Sequence, residues 1–178
     1  MDPAGARRAV EIVRGDITTL DVDAIVNAAN PSLLGGGGVD GAIHRAAGPE
    51  LLAACRRIGG CANGRAVLTP GFRLKARFVV HAVGPVWHGG RRGEPALLRR
   101  TYQSALQAAE SEPRIRSIAF PAISTGSYAF PREEAARIAL TVLGSASSFD
   151  RVIAVLFSEA DRALYRQIVG ELAAPARE

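Results

Sequence analysis

Val26-Asn27-Ala28-Ala29-Asn30-Pro31-Ser32-Leu33-Leu34 runs straight into Gly35-Gly36-Gly37-Gly38-Val39-Asp40-Gly41-Ala42-Ile43-His44. A β-branched apolar run halts at two asparagines, crosses four consecutive glycines and enters a helix opening with Asp40. Glycine has no side chain to pack and raises the entropic cost of folding. A folded chain therefore keeps four together only where backbone must lie against something or turn with positive φ. Beside a helix N-terminus that something is commonly an anion, because free N–H groups and the helix dipole converge there. The stretch predicts a phosphate-binding turn between a strand and a helix, with Asp40 and His44 one helical turn apart and facing the ligand.

The rest of the chain repeats the alternation that this stretch begins. Ala9–Val13 reads as a strand ending at Arg14-Gly15-Asp16, and Ala24–Asn27 as a short buried one. After the glycines come helices over Asp40–Ala47, closed by Gly48-Pro49, and Glu50–Ile58, closed by Gly59-Gly60. Arg65–Thr69 and Arg77–Val83 read as strands, and Pro85–Pro95 as a loop rich in Gly and Arg. Leu97, Leu98, Ala105, Leu106 and Ala109 give Ala96–Glu110 one apolar helical face. Ile115–Phe120 is a strand, Arg132–Leu143 a helix with Pro131 before it, Val152–Phe157 the last strand and Asp161–Leu172 the closing helix. Such alternation predicts a largely parallel sheet with helices on both faces, in one domain over residues 1–178. Ligands of such sheets sit beyond the carboxyl ends of the strands, where the strand order switches. Gly15-Asp16-Ile17-Thr18, the Asn/Gly loop and Ser124–Phe130 all follow strands and can share one cleft.

Composition narrows the function classes. With 178 residues, 48% hydrophobic and 22% charged, the chain reads as globular. No apolar run approaches the roughly 18 residues of a membrane span, and Met1-Asp2-Pro3-Ala4-Gly5 lacks a signal-peptide core. A cytoplasmic protein is expected, with no membrane partner. Cys55 and Cys61, with His44, His81 and His88 scattered elsewhere, have no zinc spacing, so neither metal nor cofactor is expected. The net charge of +5 comes almost wholly from arginines spread along the chain without a dense block. Nucleic acid is therefore not read as the primary partner.

Gly36-x-Gly38-x-x-Gly41 satisfies the dinucleotide GxGxxG pattern, but eight residues separate the strand from its first glycine. The acidic residue that should follow roughly 20 positions later is also missing. No Lys-Ser/Thr succeeds the glycines and no G-x-S-x-G elbow occurs, which sets aside P-loop and serine-hydrolase chemistry. Ser124-Thr125-Gly126-Ser127 offers a second turn rich in N–H and hydroxyl donors. Asp40 suits a helix N-cap as well as a ligand-facing carboxylate. His44 suits a core position as well as a site. Asn27 and Asn30 suit a turn as well as a grip on sugar hydroxyls. His81, inside an apolar strand, reads as structural, and Trp87 and His88 carry no assignable chemistry.

Taken together, Gly15-Asp16-Ile17-Thr18, Asn27–Asn30, Gly35–Gly48, Val80-His81-Ala82-Val83-Gly84-Pro85 and Phe120–Gly126 resemble a macrodomain. The similarity is to the MacroD-type group, which binds ADP-ribose and removes it from acyl esters, and it spans about Gly15 to Phe157. It implies a three-layer α/β/α sandwich around a mixed sheet of about six strands. By the same resemblance Asp16 accepts a hydrogen bond from the adenine amine, with Ile17 beside it and Phe157 covering the adenine face. The loop Gly35, Gly36, Gly37, Gly38 and Val39 and the segment Ser124, Thr125, Gly126, Ser127 and Tyr128 enclose the diphosphate and distal ribose. Asn30, with Asn27 nearby, holds that ribose. Asp40 orients or activates the attacking water, and His44 supports Asp40 or a ribose hydroxyl.

Two functions follow from the resemblance. One is hydrolysis of ester-linked ADP-ribose, either O-acetyl-ADP-ribose or mono-ADP-ribose on Asp/Glu of proteins. The other is a reader that binds ADP-ribose without turnover. The family commonly has Gly-Tyr-Pro where this chain has Ala129-Phe130-Pro131, which removes backbone freedom and a hydroxyl beside the distal ribose.

Overall fold

The computed structural model describes residues 8–174, so the polar start at residues 1–5 lies outside the described residues. Strands β1 (Glu11–Arg14), β2 (Ala24–Ala29), β3 (Ala66–Pro70), β4 (Phe78–Val83), β5 (Ser117–Phe120) and β6 (Arg151–Leu156) form one sheet in the order β1-β6-β5-β2-β4-β3. Every pairing is parallel except that of β3 with β4. The sheet is therefore mixed, with its single antiparallel strand at an edge. Helices α1 (Gly38–Ala47) and α2 (Pro49–Ile58) cover one face. Helices α3 (Glu94–Glu110), α4 (Arg132–Leu143) and α5 (Glu159–Ala173) cover the other. This is the three-layer α/β/α sandwich expected. No helix among the described residues is long and apolar enough to cross a membrane.

Strand alternation assigns the two cores. Ile25 and Ala29 of β2, Val79 and Val83 of β4, and Ile153 and Val155 of β6 pack under α1 and α2. Ala24, Val26, Val80, Ala82, Val152 and Ala154 pack under α3, α4 and α5. Both faces are buried, so these strands are near-continuous apolar runs, as parallel strands between helices require.

Boundaries move by at most two residues from the sequence reading, at element ends, where hydrogen bonding rather than pattern decides. One shift has consequences. β2 runs on to Ala29, pairing Asn27 with His81 and Ala29 with Val83 on β4. Asn27 is thus an internal strand residue, on the same face as Ile25 and Ala29, rather than part of the loop. A second shift starts α1 at Gly38, with Gly37 as its N-cap, so Asp40 stands inside the first turn instead of opening the helix.

β2 and β5 pair over only two positions, Ala24 with Ile118 and Ile25 with Ala119, while β2 and β4 pair over six. Beyond Ile25 the two central strands part. Asp23 ties them at the base. Its Oδ2 accepts from the backbone N–H of Arg116 (2.8 Å) and Ser117 (3.0 Å) and from the Ser117 hydroxyl, and its Oδ1 accepts from Arg77. Burial pushes the Asp23 carboxyl up, but these donors outweigh it and hold the group below its ordinary value.

Asp23→Ala leaves the Arg116 and Ser117 N–H groups at the start of β5 without their acceptor and is expected to cost about 1–3 kcal/mol in denaturant unfolding at pH 7. Because the folded-state value is depressed, the wild-type contribution is complete above the ordinary aspartate range and fades as pH falls through the lower, folded value. The difference between wild type and mutant should therefore shrink in strong acid. An equal difference at pH 7 and at pH 2 excludes the ionised Asp23 as the tie.

Candidate functional site

The parted strands open a cleft at the carboxyl end of the sheet, at the switch in strand order where α/β sheets bind ligands. It has two lobes that meet at Gly38, Val39 and Gly126. The inner lobe, about 300 Å³, is walled by Asn30, the glycine loop and Asp40 on one side and by Ser124, Ser127 and Tyr128 on the other. The outer lobe, about 510 Å³, is walled by Gly15, Asp16 and Ile17, by Thr125, and by Phe157 at its mouth. Both volumes suit a small organic ligand. Phe157, just beyond the end of β6, leaves 88% of its surface exposed, which marks a ring that stacks on nothing among the described residues.

The wall residues are held tightly by local chemistry. Asp16 Oδ1 accepts from the backbone N–H of Thr18 (2.9 Å) and from its hydroxyl (2.7 Å), capping the short 3₁₀ turn Ile17–Thr19. Asn30 Oδ1 accepts from Ser32 Oγ and the Leu33 N–H, and its Nδ2 donates to the Gly35 carbonyl at 2.9 Å. Asn30 therefore both shapes the turn and stands in the wall, keeping one N–H for a ligand. Gly41 packs α1 onto that turn, since a Cβ there would stand 2.5 Å from the Gly36 carbonyl oxygen.

Asp40 is the buried carboxylate of the inner lobe. Its Oδ1 accepts from Asn27 Nδ2 at 2.8 Å, and His44 Nε2 stands 3.4 Å from the same oxygen without hydrogen-bond geometry. Asp40 alone of that pair reaches the cleft. His44 stands behind it, and its ring would lie 3.6 Å from a Cβ on Gly35. Asn27 is fully buried beneath the cleft floor. Of the residues expected to meet the ligand, Asn27, Gly35 and His44 thus back the wall, and the others line one lobe or both.

On the opposite wall Ser124 takes φ +67°, and its hydroxyl is buried without a hydrogen-bond partner among the described residues. Gly84, at the end of β4, lets that hydroxyl approach. A Cβ at this position would stand 2.3 Å from Ser124 Oγ. Tyr102 of α3 accepts the Ile123 N–H at 3.1 Å and fixes the start of the same loop. Trp87 donates its backbone N–H to the Tyr128 carbonyl (2.9 Å) and packs its ring on Phe130, with centroids 4.7 Å apart. The buried Glu94 carboxylate accepts from the N–H groups of His88, Gly90 and Arg92, holding the loop that carries Trp87. Sequence reasoning gave no role to Gly84 beyond its place in the Val80–Pro85 motif, nothing to Tyr102 or Glu94 and no role to Trp87. Their parts come from contacts distant in the chain. For Gly84 alone there was a local sign, a glycine closing an apolar strand before Pro85.

Among the described residues no group of three or more His, Cys, Asp or Glu is placed to hold a metal ion. Cys55 and Cys61 are free thiols, and burial, then the Asp40 charge, pushes Cys55 up to about 11.

The family model described as Macro domain matches residues 26–139. A Macro domain-containing protein of Chlorobaculum tepidum is 55% identical over 162 residues, which is 89% of this chain and 94% of the relative. An O-acetyl-ADP-ribose deacetylase of Klebsiella pneumoniae is 55% identical over 167 residues, covering 89% and 95%. The solved structure of the Trypanosoma brucei macrodomain in complex with ADP-ribose superposes with a TM-score of 0.86 at 43% identity, over 95% of this chain and 73% of that one.

Ala129, where a left-handed turn would favour glycine, takes φ +58°. A left-handed alanine costs about 1–2 kcal/mol, and glycine's extra unfolded-state entropy gives back about 0.5–1 kcal/mol. Ala129→Gly is therefore expected to raise stability by up to about 1.5 kcal/mol in denaturant unfolding. A loss of stability would mean that the Ala129 methyl packs usefully enough to offset its strain.

Proposed function

The chain belongs to the macrodomain family, and from that premise we propose that its cleft binds ADP-ribose and hydrolyses esters at the distal ribose. The observation that carries the catalytic half is Asp40, a buried carboxylate at the wall of the inner lobe, tied by Asn27. A pure binder needs the backbone donors of the glycine loop but has no use for a carboxylate kept out of water at that spot, where burial of charge is costly. The deacetylase among the close relatives supports the same reading.

Adenine enters the outer lobe, where Asp16 accepts from its amine, Ile17 lies beside it and Phe157 covers its face. The diphosphate lies between the N–H groups of Gly36–Val39 and those of Ser124–Tyr128, at the start of α1, where the helix dipole favours negative charge. The unpartnered Ser124 hydroxyl gains an oxygen partner from the ligand. The distal ribose meets Asn30 and Tyr128. Asp40 holds a water in line with the ester carbonyl. The water oxygen bonds to the acyl carbon, the ribose oxygen leaves with a proton, and the products are ADP-ribose and the free acid. His44 supports Asp40 from behind. O-acetyl-ADP-ribose is the first substrate to test, followed by mono-ADP-ribose on Asp or Glu of proteins. Two free cysteines suit work in the reducing cytoplasm.

Two measurements test this reading. With Asp16→Ala, calorimetry should show ADP-ribose affinity reduced by about tenfold to a hundredfold, the cost of losing a charged hydrogen bond of roughly 1.5–3 kcal/mol. Turnover at saturation should change little, because adenine is remote from the ester. Unchanged affinity in the folded mutant removes Asp16 from the site.

Incubation with O-acetyl-ADP-ribose followed by chromatography should show ADP-ribose and acetate. Asp40→Ala should slow their formation by roughly 10²–10⁴ while ADP-ribose binding changes much less. Hydrolysis by Asp40→Ala at the wild-type rate excludes the mechanism. ADP-ribose binding without any hydrolysis by the wild type leaves the reader function instead.

A further inference from the structure

Among the buried positions of the sheet face that packs under α1 and α2, all are apolar except three neighbouring ones, Asn27, His81 and Thr69. Asn27 on β2 and His81 on β4 pair in register, and both are fully buried between Ile25 and Ala29 on one strand and Val79 and Val83 on the other. Polar groups in such a place need partners, and here they form one line in which Asn27 Oδ1 is left without a partner among the described residues. His81 Nδ1 stands 3.1 Å from Asn27 Nδ2, and His81 Nε2 stands 3.0 Å from Thr69 Oγ1 on β3. Thr69 donates its hydroxyl hydrogen to the Pro70 carbonyl, and Cys55 Sγ of α2 lies 3.8 Å from Nε2. At the other end Asn27 Nδ2 reaches Asp40.

The direction of these bonds is fixed by what each atom can do. An amide NH₂ only donates, so both Asn27 hydrogens are committed, one to Asp40 Oδ1 and one to His81 Nδ1. Nδ1 must then be bare. A neutral imidazole carries its proton on Nε2 and gives it to Thr69, whose own hydrogen is already spent on Pro70. Burial, then the nearby His44, pushes His81 down to about 4, which keeps the ring neutral in this role. If the ring instead presented an N–H to Asn27, the amide would have to turn. Its oxygen would then face the Asp40 carboxylate, acceptor against acceptor, and push the carboxylate out of place.

We propose that His81, oriented by Thr69, is a positioning residue for the proposed hydrolysis. It fixes which end of the Asn27 amide faces Asp40 and so holds the Asp40 carboxylate where it meets the water. The inference rests on the hydrolase reading for its consequence and on the buried chain of hydrogen bonds for its geometry, and the two are tested apart.

The geometric arm uses the ¹⁵N resonances of the His81 ring in the wild-type protein. The proton should sit on Nε2 with Nδ1 bare; the opposite tautomer, or a charged ring at neutral pH, overturns the proposal whatever the enzyme does. The catalytic arm compares kcat for O-acetyl-ADP-ribose with the Kd for ADP-ribose. His81→Phe, which removes the acceptor, should lower kcat about tenfold to a hundredfold, the scale of a misplaced catalytic group, with Kd little changed. His81→Gln keeps an acceptor for Asn27 and a donor for Thr69, and should recover most of the rate. Should His81→Phe not fold, Thr69→Val carries the same comparison. An unchanged kcat, a parallel loss of kcat and ADP-ribose affinity, or a His81→Gln as slow as His81→Phe overturns the proposal. If the wild type hydrolyses no ester, the hydrolase reading and with it the catalytic consequence fail, and the tautomer alone decides whether the relay exists.

Discussion

The cleft exists because two neighbouring central strands stop pairing after two positions. β2 and β5 are held together at their amino ends by Asp23, whose carboxylate accepts from the N–H groups of Arg116, just before β5, and Ser117, its first residue. Beyond Ile25 and Ala119 no strand pairing joins them among the described residues, and the loops that follow fall to either side of the gap. β2 leads into the Asn30 turn and the glycine loop, and β5 leads into Ser124–Tyr128. A sheet that stayed paired over all six residues of β2 would close the gap with strand backbone. Donors, hydroxyls and the Asp40 carboxylate converge on one space because the backbone hydrogen bonds there were given up.

Parting of strands alone would give a loose cleft. Each wall is stiffened by contacts from another layer. The glycine loop is pinned by Asn30 and by the close fit of Gly41 against the Gly36 carbonyl. The facing loop is pinned from α3 by Tyr102, from the β4–α3 connection by Trp87, and by the fit of Ser124 against Gly84. Glu94 stands one step further back and binds three N–H groups of the connection that carries Trp87. Ser124 and Ala129 sit in left-handed conformations within this arrangement. Strain of that kind persists where surrounding contacts over-determine the backbone.

The buried polar line from Thr69 through His81 and Asn27 to Asp40 applies the same logic inside the core. It places unlike groups on an otherwise apolar face, where an unsatisfied partner is costly and a satisfied one leaves little freedom. Sequence pattern sees His81 only as a polar interruption of Phe-Val-Val-His-Ala-Val. Its partner on β2 is 54 residues away and Thr69 on β3 is 12 away, and a strand's own alternation does not report which residue will lie opposite.

Much of the fold was legible along the chain: the order of strands and helices, helices on both faces, and loops that gather at the carboxyl ends of strands. These follow from local periodicity and from glycine and proline punctuation, which act over a few residues. The block from Asn27 to Gly48 was legible for the same reason, since a carboxylate in the first turn of a helix behind four glycines is a local arrangement. The separation of roles within that block was not. Asn27 lies beneath the floor instead of in the wall because β2 continues two residues further, and strand length is settled by pairing with β4 rather than by β2 itself. Gly84, Tyr102, Trp87 and Glu94 take their parts only once remote segments are packed together. Hydrophobic period and turn chemistry, both short-ranged, determine the elements; the register of strands and the close approach of distant loops determine the site, because hydrogen bonds and steric fit depend on neighbours the chain order does not reveal.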